Sequence, residues 1–460
     1  MDKIRSLETK NYLPQLLLAL TALIIIRLLP IFKAPLSNYG YDFGFYAYAA
    51  SHAWQYSLKN LFTSALWGGY NSPLFLLGHW LGIPSTILVN ELYFLASLAL
   101  GLAIYFWMKL KSPLAGILAA LLVGASTVQT AGYLMFLWKN ILALPLLILG
   151  FKFLEQKKYW HLAACALGML LLHRTTAIIF FLTLMVYGVF ELIKQKKFRL
   201  LAGLIIGAVI LAGLAFYGFG IKSIINNLLD NHNSYVTSGL FLEGQNLWQV
   251  GWPFILMAVP GAYLYLKNRR HPILPLFTAV LLIWIIFQFP FYRRMLLYLD
   301  VCLLAFGAYF LSQVNYSRRL MRLAVGVVIA VLFIRSANYA LSQSPIISAQ
   351  EVSEIKNFNQ PPGFVLAVSA DDAPWLLAYA QNQRLGAPGL LEDPQSYRDW
   401  LQFWAGQNQR QFLSKYPRPL YFYQRSWRLP PTILTKCLIP ISANFSAVDY
   451  ACLETPPPAD

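Results

Sequence analysis

Eleven apolar runs constrain what this chain can fold into more than any other feature. A helix needs about 20 apolar residues to cross a bilayer, because the hydrocarbon core is about 30 Å thick and each residue rises about 1.5 Å. Runs at or near that length cover 12–32, 85–107, 113–131, 134–153, 160–173, 176–193, 199–219, 251–267, 272–289, 294–311 and 321–341. Charged residues are only 12% of the chain, about half the share of a soluble domain, so polar surface is too scarce for a water-soluble fold. A shorter apolar piece, 73–83 ("PLFLLGHWLGI"), cannot span and reads as a re-entrant or interfacial helix. The first run is long and no small-residue site follows it, so no cleavable signal peptide is expected.

The net charge of +17 does not point to nucleic acid, because of where it lies. Up to Ser344 the chain holds 27 Lys and Arg against 9 acids, and beyond it 9 against 10. The excess belongs to the apolar part, where loop cations set membrane orientation. With a cytosolic N-terminus, the inner segments 1–11, 108–112, 152–159, 194–199, 267–271 and 316–322 hold 18 Lys and Arg. The outer loops hold six: Lys33, Lys59, Arg174, Lys222, Arg293 and Arg294. An odd number of spans then puts residues 345–460 outside.

That tail alternates strand-like "GFVLAVS", helix-like "DAPWLLAYAQNQ" and "SYRDWLQFWAG", and strand-like "PLYFYQRS". The expected architecture is an all-α polytopic membrane domain over 1–344, whose first outer loop 33–72 carries interfacial helices, with a small extracytoplasmic α/β domain over 345–460. Cys437 and Cys452 can pair if the tail faces an oxidising compartment, whereas Cys165 and Cys302 sit in apolar runs as packing residues.

Between Thr9 and Ser344 there are only seven acids, and five of them (Asp42, Glu91, Asp230, Glu243 and Asp300) fall toward the outer side. Glu91 and Asp300 lie about seven residues into their runs, roughly 10 Å below the outer end. An intramembrane carboxylate is either a functional group or the structural partner of an Arg or a backbone group; for Asp300, Arg293 and Arg294 are the nearby partners. Among the cations, Arg27 and Arg335 read as snorkelling to outer headgroups. Lys139 in "FLWKN", Arg174 in "LLHRTT" and the Arg293–Arg294 pair in "FPFYRRM" sit on short outer turns among aromatics. Such cations suit a phosphate at the membrane surface, since guanidinium forks match its oxygens. His173 is a metal ligand, a base or a hydrogen-bonded structural residue. No HxxxH, CxxC or paired-carboxylate spacing marks a metal cage, so a divalent metal has no support from ligand spacing and no cofactor is expected with certainty.

In the first outer loop, "NYGYDFGFYAYAASHAW" places Asp42 at the head of an aromatic segment, 43–67, with the spacing of an interfacial helix. With "NSPLFLLGHWL", "FYRRMLLYLD" and the outer C-terminal domain, this resembles the polytopic glycosyltransferases of the C-type fold, the superfamily of protein mannosyltransferases and aminoarabinose transferases. The resemblance implies an integral protein of a prokaryotic plasma membrane that takes a sugar from a polyprenyl-phosphate donor. It would pass that sugar to a lipid, glycan or protein acceptor on the extracytoplasmic face, with membrane lipids around it and no nucleic acid. Asp42 maps onto that family's catalytic base; Arg293, Arg294, Arg174 and Lys139 would hold the donor phosphate. Glu91, His173, Tyr46, Asn71 and Tyr292 are secondary substrate-binding candidates. Two departures stand out: Asn71-Ser72-Pro73 replaces a His-Pro-Pro, and Lys139-Asn140 replaces a second acid, which bears on metal dependence. A lipid-linked oligosaccharide ligase or polymerase would also use outer cations, but with a large Arg- and His-rich outer loop. A transporter would carry ionisable groups near mid-membrane in repeated halves.

Overall fold

The computed structural model describes residues 12–53, 72–196, 241–242, 244–289, 291–314, 316–380, 383–388, 393–425, 429 and 433–454. The chain is a mostly helical membrane protein with a small C-terminal sheet. Contacts divide it into two units: residues 1–33, 57–74 and 90–343, and residues 34–56, 75–89 and 344–460. The second unit therefore takes in two stretches that precede most of the spans.

Five helices among the described residues are long and apolar enough to cross a membrane: Leu13–Phe32, Ile87–Met108, Arg174–Lys194, Tyr292–Ser312 and Arg319–Ser342. Pro113–Ala125 and Thr127–Leu134, bent by 53° at their junction, make a sixth if counted as one span. Eleven spans are thus not what length and composition support. Tyr159–Leu172 and Ile273–Ile286 are 14 residues each, about 21 Å and short of the hydrocarbon thickness. Trp138–Glu155 carries Lys139, Lys152 and Glu155, and Gly244–Lys267 carries Pro253 and Pro260. The run 199–219 lies outside the described residues.

Sequence explains the local breaks. Ser112 caps Pro113–Ala125 by accepting from Ala115 N (3.0 Å), with Pro113 at the first position, where a missing N–H costs nothing. Ser126 is extended (φ −77°, ψ 117°), which ends one helix, and its hydroxyl caps the next from Gln129 N (3.1 Å). Small residues let helices touch: a Cβ at Gly261 would lie 2.1 Å from the carbonyl oxygen of Phe306, so Gly244–Lys267 can approach Tyr292–Ser312 only through that glycine.

The second unit holds a five-stranded sheet: β1 (Phe364–Ala367), β2 (Arg384–Gly386), β3 (Leu420–Tyr423), β4 (Leu438–Pro440) and β5 (Phe445–Val448), in the order β2-β1-β3-β5-β4. β1 runs parallel to β2 and β3, while β5 is antiparallel to β3 and β4. Every residue of the central strands β1 and β3 is buried, as expected of strands covered on both faces. Ser396 and Asp399 close a capping box on Tyr397–Trp404, which lays Trp400 and Phe403 into the core with Phe412 and Phe422. Cys437 and Cys452 form a disulfide, and Cys165 and Cys302 are buried free thiols. The expected strands and helices of the tail are present. β2, β4 and β5, at three or four residues each, were too short to show a period.

Candidate functional site

In the first unit, three cations share one local design. Lys139 is the second residue of Trp138–Glu155, Arg174 is the first of Arg174–Lys194, and Arg294 caps Met295–Ser312. Each stands where a helix dipole is already positive, the arrangement least suited to a cation on its own account and best suited to an anion nearby. The turns that place them are tight. Phe136 (φ 59°) and Phe291 (φ 62°) hold the left-handed conformation, which costs a bulky residue roughly 1–2 kcal/mol and persists only where the surroundings enforce it.

The three cations converge on His173: the charges that act on its imidazole are those of Lys139, Arg294 and Arg174. Lys139 is buried, and Arg174 is within electrostatic reach of it. A hydrogen-bond chain sets the histidine. Thr176 N donates to His173 Nδ1 (3.4 Å), capping the helix, and Thr176 Oγ1 lies 2.7 Å from the same nitrogen. A ring nitrogen that accepts carries no hydrogen, so the imidazole is neutral and its N–H is Nε2. Thr176 Oγ1 in turn bonds the Tyr298 hydroxyl, which accepts from Asn140 Nδ2 (3.1 Å). The sequence had singled out His173, Lys139, Arg174 and Arg294. It missed Tyr298, Thr176 and Asn140, because neutral residues inside apolar helices leave no charge signal. Arg293 differs from its neighbour: its Nε donates to Tyr292 Oη (3.5 Å), and both side chains are half-buried.

Asp42 belongs to the second unit. It is buried at the head of the Phe43–Ser51 helix, and its side chain makes no capping hydrogen bond to that helix, so capping does not explain it. The helix is fixed to Ala373–Tyr379 at its base. A Cβ at Gly44 would stand 1.8 Å from the carbonyl oxygen of Pro374, Phe43 stacks on Trp375 (6.5 Å), and Tyr41 Oη donates to Ala370 O (2.9 Å). Burial pushes the Tyr41 phenol up, and the carboxylates of Asp371, Asp42 and Asp372 add to the shift, so it stays protonated and keeps donating. Asp372 is itself held by Arg425 Nε (2.8 Å). Tyr46 is buried on the same helix. No sequence signal joins Asp371 and Asp372 to residue 42, some 330 positions away. Asn71, Asp230 and Glu243, with the 54–67 part of the aromatic segment, lie outside the described residues.

Glu91 ends the π-turn Ile87–Glu91 near the start of its helix, and its side chain is exposed. One expectation is corrected. Arg27 does not snorkel: it is 1% exposed, its Nε donates to Ser97 Oγ (2.9 Å) and its Nη1 to Thr130 Oγ1 (2.6 Å), with Tyr133's ring 5.3 Å away. A cation near a helix end can reach headgroups only when its side chain faces lipid, and Arg27 faces its neighbours. Asp300 is fully buried too, and its bonded partners are not Arg293 or Arg294. Its Oδ2 accepts from Ser126 Oγ (2.8 Å) and Gln129 Nε2 (2.9 Å), with Arg27 as the cation in reach.

Among the described residues, no group of three or more His, Cys, Asp or Glu is arranged to hold a metal ion. The described side chains of the first unit therefore offer a polar, positively charged locus fit for a phosphate or similar anion, and those of the second offer a buried carboxylate. No protein-family model matches the sequence, and no curated protein matches it.

Proposed function

We propose that the chain is a membrane glycosyltransferase that moves a sugar from a polyprenyl-phosphate donor to an extracytoplasmic acceptor. The observation that carries this reading is that Lys139, Arg174 and Arg294, each at the N-terminal end of a helix, all act on a neutral His173. Fixed cations and helix N-termini stabilise the charge that develops on a departing phosphate, commonly the main source of rate enhancement in such a displacement. In this reading Asp42 is the general base that takes the proton of the acceptor hydroxyl as it attacks the sugar. It is buried at the head of the Phe43–Ser51 helix, beside the tyrosines and phenylalanines of that segment, and makes no side-chain capping bond to the helix. Direct displacement by one base against a cation-held leaving group inverts the anomeric centre. Loop-charge bias supports the orientation with the N-terminus in the cytosol of a prokaryotic cell and residues 345–460 outside. The resemblance of the loop motifs supports a donor-binding outer face.

The test is an Asp42→Asn variant in proteoliposomes, offered a panel of polyprenyl-phosphate sugars. Asparagine keeps the shape and removes the basicity. Transfer falls by a factor of about 100 or more, the scale of a lost general base, while binding of a polyprenyl phosphate followed by ³¹P NMR is retained. Near-normal transfer by the variant moves the base elsewhere. No transfer and no polyprenyl-phosphate binding by the parent sinks the reading.

A further inference from the structure

In the second unit, the loop after the Ala349–Lys356 helix and the turn between β4 and β5 enclose a cavity of about 300 Å³, the lower end of the range of about 300–1,000 Å³ for ligand sites. Glu354, Asn357, Asn359, Gln360 and Ser442 supply its polar lining and Phe358 an aromatic wall. None of Asp42, Lys139, Arg174 or Arg294 lines it. The lining is fixed in advance. Asn444 N (2.9 Å) and Ser442 Oγ donate to Glu354 Oε1, and Asn444 Nδ2 (2.7 Å) donates to Oε2. A carboxylate accepts about four hydrogen bonds, so these three leave one position on Oε2. Phe358 stacks on Phe445 (4.0 Å) and packs edge-to-face with Tyr421 (5.2 Å). Gln383 Nε2 and Tyr421 Oη hold the loop by donating to Gln360 O (3.2 Å) and Pro361 O (3.2 Å). The side chains of Asn359 and Gln360 make no hydrogen bond among the described residues, so both amides remain for a ligand. Asn357 Nδ2 gives one N–H to Ser353 Oγ (3.1 Å) and keeps a second.

We propose that this cavity binds one uncharged sugar ring, a carbohydrate site additional to the one proposed for transfer. A sugar ring carries hydroxyls around its rim, each both donor and acceptor, and C–H groups on its faces. Three carboxamides and a serine hydroxyl match the rim, because each of them can also donate and accept. Glu354 adds a rigid acceptor, and Phe358 offers the C–H face an apolar surface. Groups held in place before binding lose little freedom when the ligand arrives. Charge selects against an anion. The lining includes a carboxylate and no Lys or Arg, and the Ala349–Lys356 helix ends here, with the negative pole of its dipole. Lys356, the cation closest in sequence, lies over the Tyr379 ring (4.8 Å). A phosphate or a sugar acid would therefore meet repulsion where a neutral ring meets hydrogen bonds.

The experiment is saturation-transfer difference NMR on the full-length protein in nanodiscs, with the methyl glycosides of glucose, galactose, mannose and N-acetylglucosamine as probes. At least one of them should bind with a dissociation constant of about 1 mM, the strength open to so small a ligand. Asn359→Ala and Gln360→Ala should each weaken that binding about 3-fold or more, the scale of one lost hydrogen bond. Both variants should melt like the parent, since neither side chain bonds to another described residue. Asp42→Asn should bind the glycoside as the parent does, and glucuronate should give no signal at the same concentration. Four silent glycosides, or binding that survives both substitutions, overturns the proposal. Binding lost in Asp42→Asn instead would place the sugar at the transfer site and overturns it too. Displacement of the glycoside by glucuronate or by a blocked triglycine would make the cavity an anion or peptide site, which also refutes it.

Discussion

Arg27 gives the sharpest test of the buried network. Replacing it by methionine keeps most of the volume and removes the guanidinium, two hydrogen bonds at 2.9 and 2.6 Å, and the contact with the Tyr133 ring. Each hydrogen bond from a charged donor contributes about 1.5–3 kcal/mol, but the partners keep other bonds, since Thr130 still donates to Ser126 O. The larger effect is electrostatic: Asp300, fully buried, loses the cation that acts on it. Breaking a buried pair on one side costs about 3–5 kcal/mol when the partners touch. Here hydroxyls separate them, so roughly 3 kcal/mol is the expected loss. Asp300→Leu should cost a similar amount by stranding Arg27. The double variant should lose about 1–3 kcal/mol less than the two singles added, because neither charge is then left alone. Unfolding in mixed micelles with increasing SDS measures all four corners of the cycle. An Arg27→Met variant within about 0.5 kcal/mol of the parent would show that Arg27 reaches water or headgroups. Strict additivity would show that Arg27 and Asp300 are not coupled.

Gly44→Ala forces a methyl against the Pro374 carbonyl, a 1.8 Å approach to backbone that cannot yield easily; a loss of about 1–3 kcal/mol and faster hydrogen exchange over 43–51 are expected. Exchange unchanged there would mean the two helices do not pack through Gly44. Arg294→Ala should weaken binding of a polyprenyl phosphate about 10-fold or more, whereas Arg293→Ala, whose guanidinium is turned to Tyr292, should change it less. Equal losses would remove the distinction. His271 carries a pH signature. Burial first, then Lys111 and Lys194, lower its pKa from 6.5 to about 4, so between those values the unfolded chain binds a proton that the folded chain does not. Stability should therefore fall as pH drops from about 6.5 to about 4, and His271→Gln should flatten that slope in melts across the range. An unchanged slope would assign it to other groups.

Apolar run length alone located the helices, because a bilayer admits few other ways to bury 20 apolar residues. Ten of the eleven runs coincide with described helices, and the eleventh lies outside the described residues. The sequence also separated off the tail, where hydrophobicity switches to short alternating stretches, and it picked out Lys139, Arg174 and Arg294 because charges are rare in such runs. It could not say which way a side chain faces on a helix that is apolar all round. Arg27 read as snorkelling and proved to be buried. The neutral members of the His173 chain, Asn140, Thr176 and Tyr298, became visible only once three helices met. The docking of the Asp42 helix on Ala373–Tyr379 depends on a glycine opposite a carbonyl hundreds of residues away, and only the tertiary structure brings those two atoms together. Periodicity and charge report what a segment must bury, whereas the partner it finds is decided by packing, which no local pattern encodes.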